Sequence, residues 1–416
     1  MKKLYKIFSL GLLSFLIVHC ILNINNCSAQ WVSIANEMGT SQSVWSLAIS
    51  GNTIFAGTGL YPTVTGVYKS TNNGNNWTQT ALNNLEVDAL SASGNYIFAG
   101  TSGSGVYVST NNGTNWTQTA MNSKSINSLA TLGNNVFAGT VYFGIYLSTD
   151  NGTSWAQTSL NTQFIHTFAI IGNNIFAGAH DGSVYLSTNN GTNWSQFVVN
   201  NEGIICLAVL GNNIFAGTNG NGIYLSTNNG TNWTQTALSG KGVYSFAVLG
   251  NNIFAGTISS GVYLSTDSGT NWTQKNEGFT SLSVIYSLLI TNNYIFAGGY
   301  QFSAWRRPLS ELIVGVKNIS SDIPSGFLLS QNYPNPFNPT TRIKFSIPPF
   351  EGGQRGMTSL KVYDILGKEI ETLVNEKLNP GKYKVTFNAS QYPSGVYFYR
   401  LITESFSETK RMILLK

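Results

Sequence analysis

Between residues 125 and 160 the chain reads as four short apolar runs, 125–131, 135–140, 144–148 and 155–160, separated by Gly/Asn turns. Each run is rich in β-branched and aromatic residues, which predicts four short antiparallel strands. The layout recurs along the chain. The second run carries Phe-Ala-Gly, at Phe55, Phe98, Phe137, Phe176, Phe215, Phe254 and Phe296. The third is followed by an eight-residue turn, Ser-Thr-Asn-Asn-Gly-Thr-Asn-Trp in its commonest form, closing at Trp77, Trp116, Trp155, Trp194, Trp233 and Trp272 with a constant spacing of 39 residues. Four strands repeated at a fixed period near 40 predict the blade of a β-propeller.

Seven Phe-Ala-Gly runs face only six Trp-ended turns. Before the first stands a spare fourth-strand sequence, Gln30-Trp31-Val32-Ser33-Ile34-Ala35; after the last comes a third-strand sequence, Ala304-Trp305-Arg306-Arg307-Pro308, with no fourth. The N-terminal strand is therefore expected to complete the last blade, closing a seven-bladed ring with Trp31 and removing the free sheet edges that invite aggregation.

The turn resembles the Asp-box of BNR-like β-propellers, Ser-x-Asp-x-Gly-x-Thr-Trp. Asn stands at the Asp position in Asn72, Asn111, Asn189 and Asn228, and Asp only in Asp150 and Asp267. Either side chain can hydrogen-bond the turn backbone. Gly74, Gly113, Gly152, Gly191, Gly230 and Gly269 are expected to supply positive φ, and each Trp to pack beneath its turn and between blades. In families that carry it the Asp-box is structural, so these residues are expected to be scaffold.

The period stops near residue 311. Past it, residues 360–363, 383–387 and 396–400 alternate as strands of a small immunoglobulin-like β-sandwich. Residues 326–416 also resemble the C-terminal sorting domain of type IX secretion substrates. The matching stretches are Leu329-Ser330-Gln331-Asn332-Tyr333-Pro334-Asn335-Pro336-Phe337-Asn338-Pro339, Val362-Tyr363-Asp364-Ile365-Leu366-Gly367-Lys368, Pro380-Gly381-Lys382-Tyr383, Ser394-Gly395-Val396-Tyr397-Phe398-Tyr399-Arg400-Leu401 and Lys410-Arg411-Met412-Ile413-Leu414-Leu415-Lys416. The resemblance implies an export signal read by the type IX machinery after Sec transport, and a secreted or outer-membrane-surface location. Residues 348–357 read as an inserted loop and 312–325 as a linker. At the other end, Lys2, Lys3 and Lys6 precede a largely apolar stretch, 7–22, and Cys27-Ser28-Ala29, which reads as a signal peptide cut after Ala29. The apolar run is short and broken by Ser9, Gly11, Ser14 and His19, so no transmembrane segment is expected in the mature chain.

Composition sharpens this picture. Charged residues are only 9% and Gly numbers 43 of 416 residues, poor material for helices and good material for tight turns. Residues 30–311 hold six Lys/Arg against nine Asp/Glu, and residues 312–416 thirteen against eight. Neither has the dense basic stripe that nucleic acid requires. Cys206 is the one cysteine after residue 29 and lies in an apolar run, so it reads as a small core residue.

Asp-box propellers include sialidases, which need an arginine cluster. The only arginines of residues 30–311, Arg306 and Arg307, are adjacent in one strand and face opposite ways. Glycoside hydrolysis needs two facing carboxylates. The supply is Glu37, Glu86, Asp88, Asp150, Asp181, Glu202, Asp267, Glu277 and Glu311. Asp150 and Asp267 belong to Asp-box turns; Glu86, Asp88, Asp181 and Glu202 could approach the mouth of the ring. After residue 29 only His166 and His180 remain as histidines, His166 reads as a packed strand residue, and no cofactor or metal set is expected.

In such a blade the first-to-second and third-to-fourth turns share one face. The second-to-third and fourth-to-first loops share the other. The first face repeats almost unchanged; the second differs in every blade. Tyr61, Tyr142, Phe143, His180, Asp181, Tyr300 and Phe302 lie there, near Lys124, Gln163, Phe164, Glu202 and Lys241. Variable loops on a rigid scaffold are where binding residues gather, and Tyr and Phe beside amides suit sugar stacking or protein contact. The expectation is a non-catalytic glycan- or protein-binding module; a glycan hydrolase or lyase, and a structural or adhesive surface repeat protein, are the alternatives.

Overall fold

The computed structural model describes residues 30–34, 38, 42–60, 63–279, 284–300, 304–312, 317–320, 323–349, 356–389 and 392–416. The expected signal peptide, Glu37, and the expected ligand contacts Tyr61 and Phe302 lie outside the described residues. The chain divides into two compact units, Met1–Leu309 and Ser310–Lys416.

The first unit consists of seven four-stranded antiparallel sheets. The third blade is typical: Ile126–Leu132, Asn135–Thr140, Ile145–Ser148 and Ala156–Gln157, side by side in chain order. The Phe-Ala-Gly strand is buried on both faces (five of its six residues in this blade), because neighbouring blades cover it from each side. This explains why it reads as a continuous apolar run and not as an alternation. The core accordingly lies between blades. Phe98 of the second blade packs with Ile126, Val136 and Ala138 of the third, and Phe137 of the third with Ile175 and Ala177 of the fourth.

First strands stand next to first strands all the way round, and the seventh, Ile285–Ile290, returns to the first, Val44–Ser50. The strand missing from the seventh blade is Val32–Ser33, paired with Ala304–Pro308 so that Val32 faces Arg306 and Ser33 faces Trp305. Trp31 is buried beside it. Its indole N–H donates to the Lys275 carbonyl at 2.7 Å, its backbone N–H donates to the Glu277 carbonyl at 2.7 Å, and its ring stacks on Phe279 with centroids 4.9 Å apart.

The six Trp-ended turns share one hydrogen-bond pattern. In the third blade the Ser148 hydroxyl accepts the Gly152 N–H at 2.8 Å and Asp150 Oδ1 accepts the Ser154 N–H at 2.8 Å. Asn189 does the same for Asn193 at 2.9 Å, so Asn substitutes for Asp without loss of the bond. The Ser154 hydroxyl, followed by its N–H and the Ser148 hydroxyl, holds the Asp150 carboxyl down at about 2. The turn glycine has a second reason to be glycine. A Cβ on Gly113 would come within 2.8 Å of Phe55 Cε1, the Phe-Ala-Gly phenylalanine of the preceding blade. The two repeated motifs are thus two halves of one inter-blade joint. The phenylalanine, fully buried, fills it. Of the six turn tryptophans only Trp77 is buried; Trp155, Trp194, Trp233 and Trp272 are half-buried, each donating its indole N–H to its own turn glycine carbonyl at 2.9–3.1 Å.

The second unit is a β-sandwich of two four-stranded sheets. One runs Lys317–Ser320, Gly381–Asn388, Thr340–Ile347, Leu328–Leu329; the other runs Glu369–Leu378, Gly356–Tyr363, Gly395–Ile402, Ser407–Leu414. Lys317–Ser320 falls in the stretch expected as linker yet pairs with Gly381–Asn388 as an edge strand. At four residues it is too short to show a period. The Pro-rich motif is tied to the end of the chain. Asn335 Oδ1 accepts the Ile413 N–H, and Phe337 exchanges backbone bonds with Ile413 and Leu415, all at 2.9 Å. Buried Asn332 gives its backbone N–H to the Tyr399 hydroxyl at 2.8 Å and its side-chain N–H to Thr341 at 2.9 Å.

Candidate functional site

Each first strand of the propeller carries one residue more than its neighbour pairs with. In the fourth blade Ile165 faces Ala179 and Thr167 faces Gly178, so His166 between them has no partner. The same slip leaves Trp45, Asp88, Asn127, Ile205, Tyr244 and Tyr286 unpaired in the other six blades. A bulge of this kind bends the strand and re-aims the extra side chain. Here all seven line a single cavity of about 520 Å³, together with Glu86, Ser102, His180, Gly203 and Asn219. Glu86 and Gly203 precede first strands and Ser102, His180 and Asn219 follow second strands. The cavity therefore opens on the variable-loop face, at the axis of the ring.

Its wall has two characters. From the sixth blade to the first it is aromatic: Tyr244 and Tyr286 lie 6.0 Å apart between centroids and Tyr286 and Trp45 4.3 Å. Trp45 donates its indole N–H to the Gly59 carbonyl at 2.8 Å and the Tyr244 hydroxyl donates to Asn219 Oδ1 at 2.7 Å. Burial, with the neighbouring Tyr244 and Tyr300, pushes the Tyr286 phenol up to about 12. From the second blade to the fourth it is polar. His166 Nε2 lies 3.2 Å from His180 Nδ1, and the Asn127 amide donates to the His166 carbonyl at 3.4 Å. Burial, then the His180 charge, pulls His166 down to about 4, so it is neutral near pH 7. Burial, then the charge of Glu86, pushes Asp88 up to about 7.

The expected contacts fall into three places. His180 lines the cavity. Tyr142 and Phe143 stand on the rim, 71% and 47% exposed, with Lys124 Nζ 4.0 Å over the Phe143 ring. A file of rings leads from Tyr142 inward, through Phe164 at 5.8 Å to His166 at 4.2 Å further. Tyr300 meets Tyr286 edge-on at 6.4 Å. Asp181 instead serves its own turn, accepting from the Ser183 N–H at 3.0 Å and the Tyr185 hydroxyl at 2.8 Å. Arg307 is spent on Glu277 at 2.7 Å while Arg306 lies over Tyr294. Among the described residues no three of His, Cys, Asp or Glu gather as a metal-ion group.

Sequence reasoning missed the bulges as a set and took His166 for packing alone. The signal was present: the residue after the first apolar position of each first strand takes six identities over the seven blades (Trp, Asp, Asn, His, Ile, Tyr, Tyr), while its surroundings repeat. Periodicity alone could not flag it, since a bulge breaks the two-residue alternation by which strand faces are assigned.

Residues 331–415 match the secretion system C-terminal sorting domain. No curated protein matches the chain by sequence. Among solved structures the chain is similar to YCF48 from Cyanidioschyzon merolae (TM-score 0.56, 16% identity, 67% of this chain and 98% of that one). It is also similar to YCF48 bound to D1 peptide (0.55, 15%, 67% and 95%). A third is PorZ, a surface component of the type IX secretion system of Porphyromonas gingivalis (0.55, 17%, 90% of this chain and 59% of that one). At these identities the likeness speaks for the fold. No helix among the described residues is long and apolar enough to cross a membrane. The chain is a β-propeller joined to a type IX secretion C-terminal sorting domain, which directs it to the cell surface or the medium.

Proposed function

We propose that the propeller is a non-catalytic module that binds an extracellular glycan or protein ligand in the axial cavity. The observation that carries this reading is the ring of bulges. A scaffold that repeats almost residue for residue varies at the seven positions whose side chains converge on one point. Convergent polar groups in a partly aromatic concavity are the ordinary form of a binding site. Tyr142, Phe143 and Tyr300 extend it as rim contacts, with Tyr61 and Phe302 assigned to the same rim from the sequence alone. Asp-box residues such as Asn111, Gly113 and Trp116 take no part, since they belong to the opposite face.

One observation favours a glycan hydrolase as the second reading. Asp88 is held at about 7 beside Glu86, the condition a carboxyl needs to act as a general acid at neutral pH. The two readings separate in a screen of the secreted chain against extracellular polysaccharides and surface proteins. Saturable binding with no product supports the module. Product release that Asp88→Asn abolishes supports the hydrolase and contradicts the module.

A further inference from the structure

We propose that the axial cavity receives a basic side chain, arginine foremost, from a partner protein, held between the carboxylates of Glu86 and Asp88 and the rings of Trp45, Tyr244 and Tyr286. The inference rests on the binding-module reading and narrows its ligand.

The argument begins with how the propeller's carboxylates are satisfied. Glu277 is paired with Arg307 at 2.7 Å, Asp150 and Asp267 close turns, Asp181 takes the Ser183 N–H, and Glu202 takes the Asn221 N–H at 3.0 Å. Glu86 and Asp88 are different. Among the described residues neither carboxylate has a cation or a hydrogen-bond donor, and no Lys or Arg lines the cavity. Lys124 and Lys241, the cations nearest in sequence to this face, lie over the rings of Phe143 and Tyr263. Asp88 is partly withdrawn from water without a partner, which is costly for its charged form, and a cation entering from outside offsets that cost.

The aromatic wall, which begins at Trp45 on the adjoining blade, points to the same chemistry independently. Tyr286 lies 4.3 Å from Trp45 and 6.0 Å from Tyr244 between centroids, and an aromatic cluster attracts a cation in a way that an inorganic ion with its water shell uses poorly and a guanidinium uses well. The remaining polar side chains, Asn127, Asn219 and neutral His166, can meet the peptide groups beside it. The cavity is also walled by one residue from every blade. A projecting side chain can enter such a well end-on.

The test uses the full chain and capped Gly-Gly-Xaa-Gly-Gly peptides in calorimetry, with Xaa Arg, Lys, citrulline or Gln. Citrulline keeps the shape of Arg without its charge. The Arg peptide is expected to saturate and the citrulline peptide to bind at least about tenfold more weakly. Glu86→Gln and Asp88→Asn, which keep side-chain volume, should each weaken the Arg peptide by a similar factor with no fall in melting temperature. Equal affinity for Arg and citrulline, or indifference to both substitutions, overturns the proposal, as does failure of every peptide to bind at millimolar concentration. Competition by calcium chloride alone would make the ligand an inorganic cation and overturn it too. Carboxylate-dependent binding of glucosamine oligomers without peptide binding would overturn the protein partner. Binding of a neutral oligosaccharide that ignores Asp88→Asn would overturn the inference while leaving the binding module standing.

Discussion

Asp88 and His166 face one cavity from different blades, and burial moves their protonation in opposite directions. Asp88 rises from 3.8 to about 7, so between those values the folded state holds a proton that the unfolded chain has released. Stability from this group is therefore gained as pH falls from 7 toward 4. His166 drops from 6.5 to about 4, so in that window the unfolded chain holds the proton, and stability is lost on acidification. The two effects oppose each other in the wild type. Asp88→Asn should raise stability near pH 7 by roughly 1–3 kcal/mol, since a shifted carboxyl there carries a penalty for ionising. The same variant should lose stability more steeply than wild type between pH 6.5 and 4. His166→Asn should do the reverse. Glu86 and His180 stand beside them in all three proteins, so melting curves compared at each pH isolate the replaced group.

At the scale of the blade, the joint between Phe-Ala-Gly and the glycine of the next Trp-ended turn holds neighbours together. Phe98 is fully buried between the second and third blades, whereas Trp155 is half-buried at the same joint. Phe98→Ala should cost about 3–5 kcal/mol in denaturant unfolding, and Trp155→Ala less. A larger loss at Trp155 would mean that the tryptophan, not the phenylalanine, carries the joint. Ser148→Ala removes the acceptor of the Gly152 N–H and should cost about 1 kcal/mol. Most of this element was legible in the sequence, because a 39-residue period repeats both halves of the joint and turn chemistry is local. The relative burial of Phe and Trp was not, since it depends on which ring the adjacent blade covers. The bulges were hidden for a related reason: Trp45, Asp88 and Tyr286 occupy the same repeat position, yet an extra residue in a strand shows only when its pairing partner is known.

For the whole molecule, the ring closes through a strand that lies more than 240 residues from its neighbour, as the Trp31 bond to Lys275 records. Removing residues 30–34 should open the seventh blade, lower the melting temperature and expose a sheet edge, with aggregation visible in light scattering. The sorting domain is a separate compact unit. A chain ending at Leu309 should melt like the intact propeller but accumulate in the periplasm; delivery of that truncation to the surface would contradict the role of residues 331–415. Export was legible from motifs, because its Pro-rich segment and terminal strand pair with each other and keep their residue types together. The proposed ligand site was legible only as a face. The sequence places His180, Tyr142 and Tyr300 on that face, while the floor of the cavity is built from strand positions whose meaning is set by the closed ring.

The most direct test compares one ligand, the first that saturates the wild-type chain, on three variants: Trp45→Ala, Tyr286→Ala and, on the opposite face, Asn232→Ala. Loss of affinity of at least about tenfold at Trp45 and Tyr286, with Asn232→Ala binding as wild type and all three retaining the fold, is the expected result. Unchanged affinity at both cavity residues, or a loss confined to Asn232→Ala, would show that the axial cavity is not where this propeller binds.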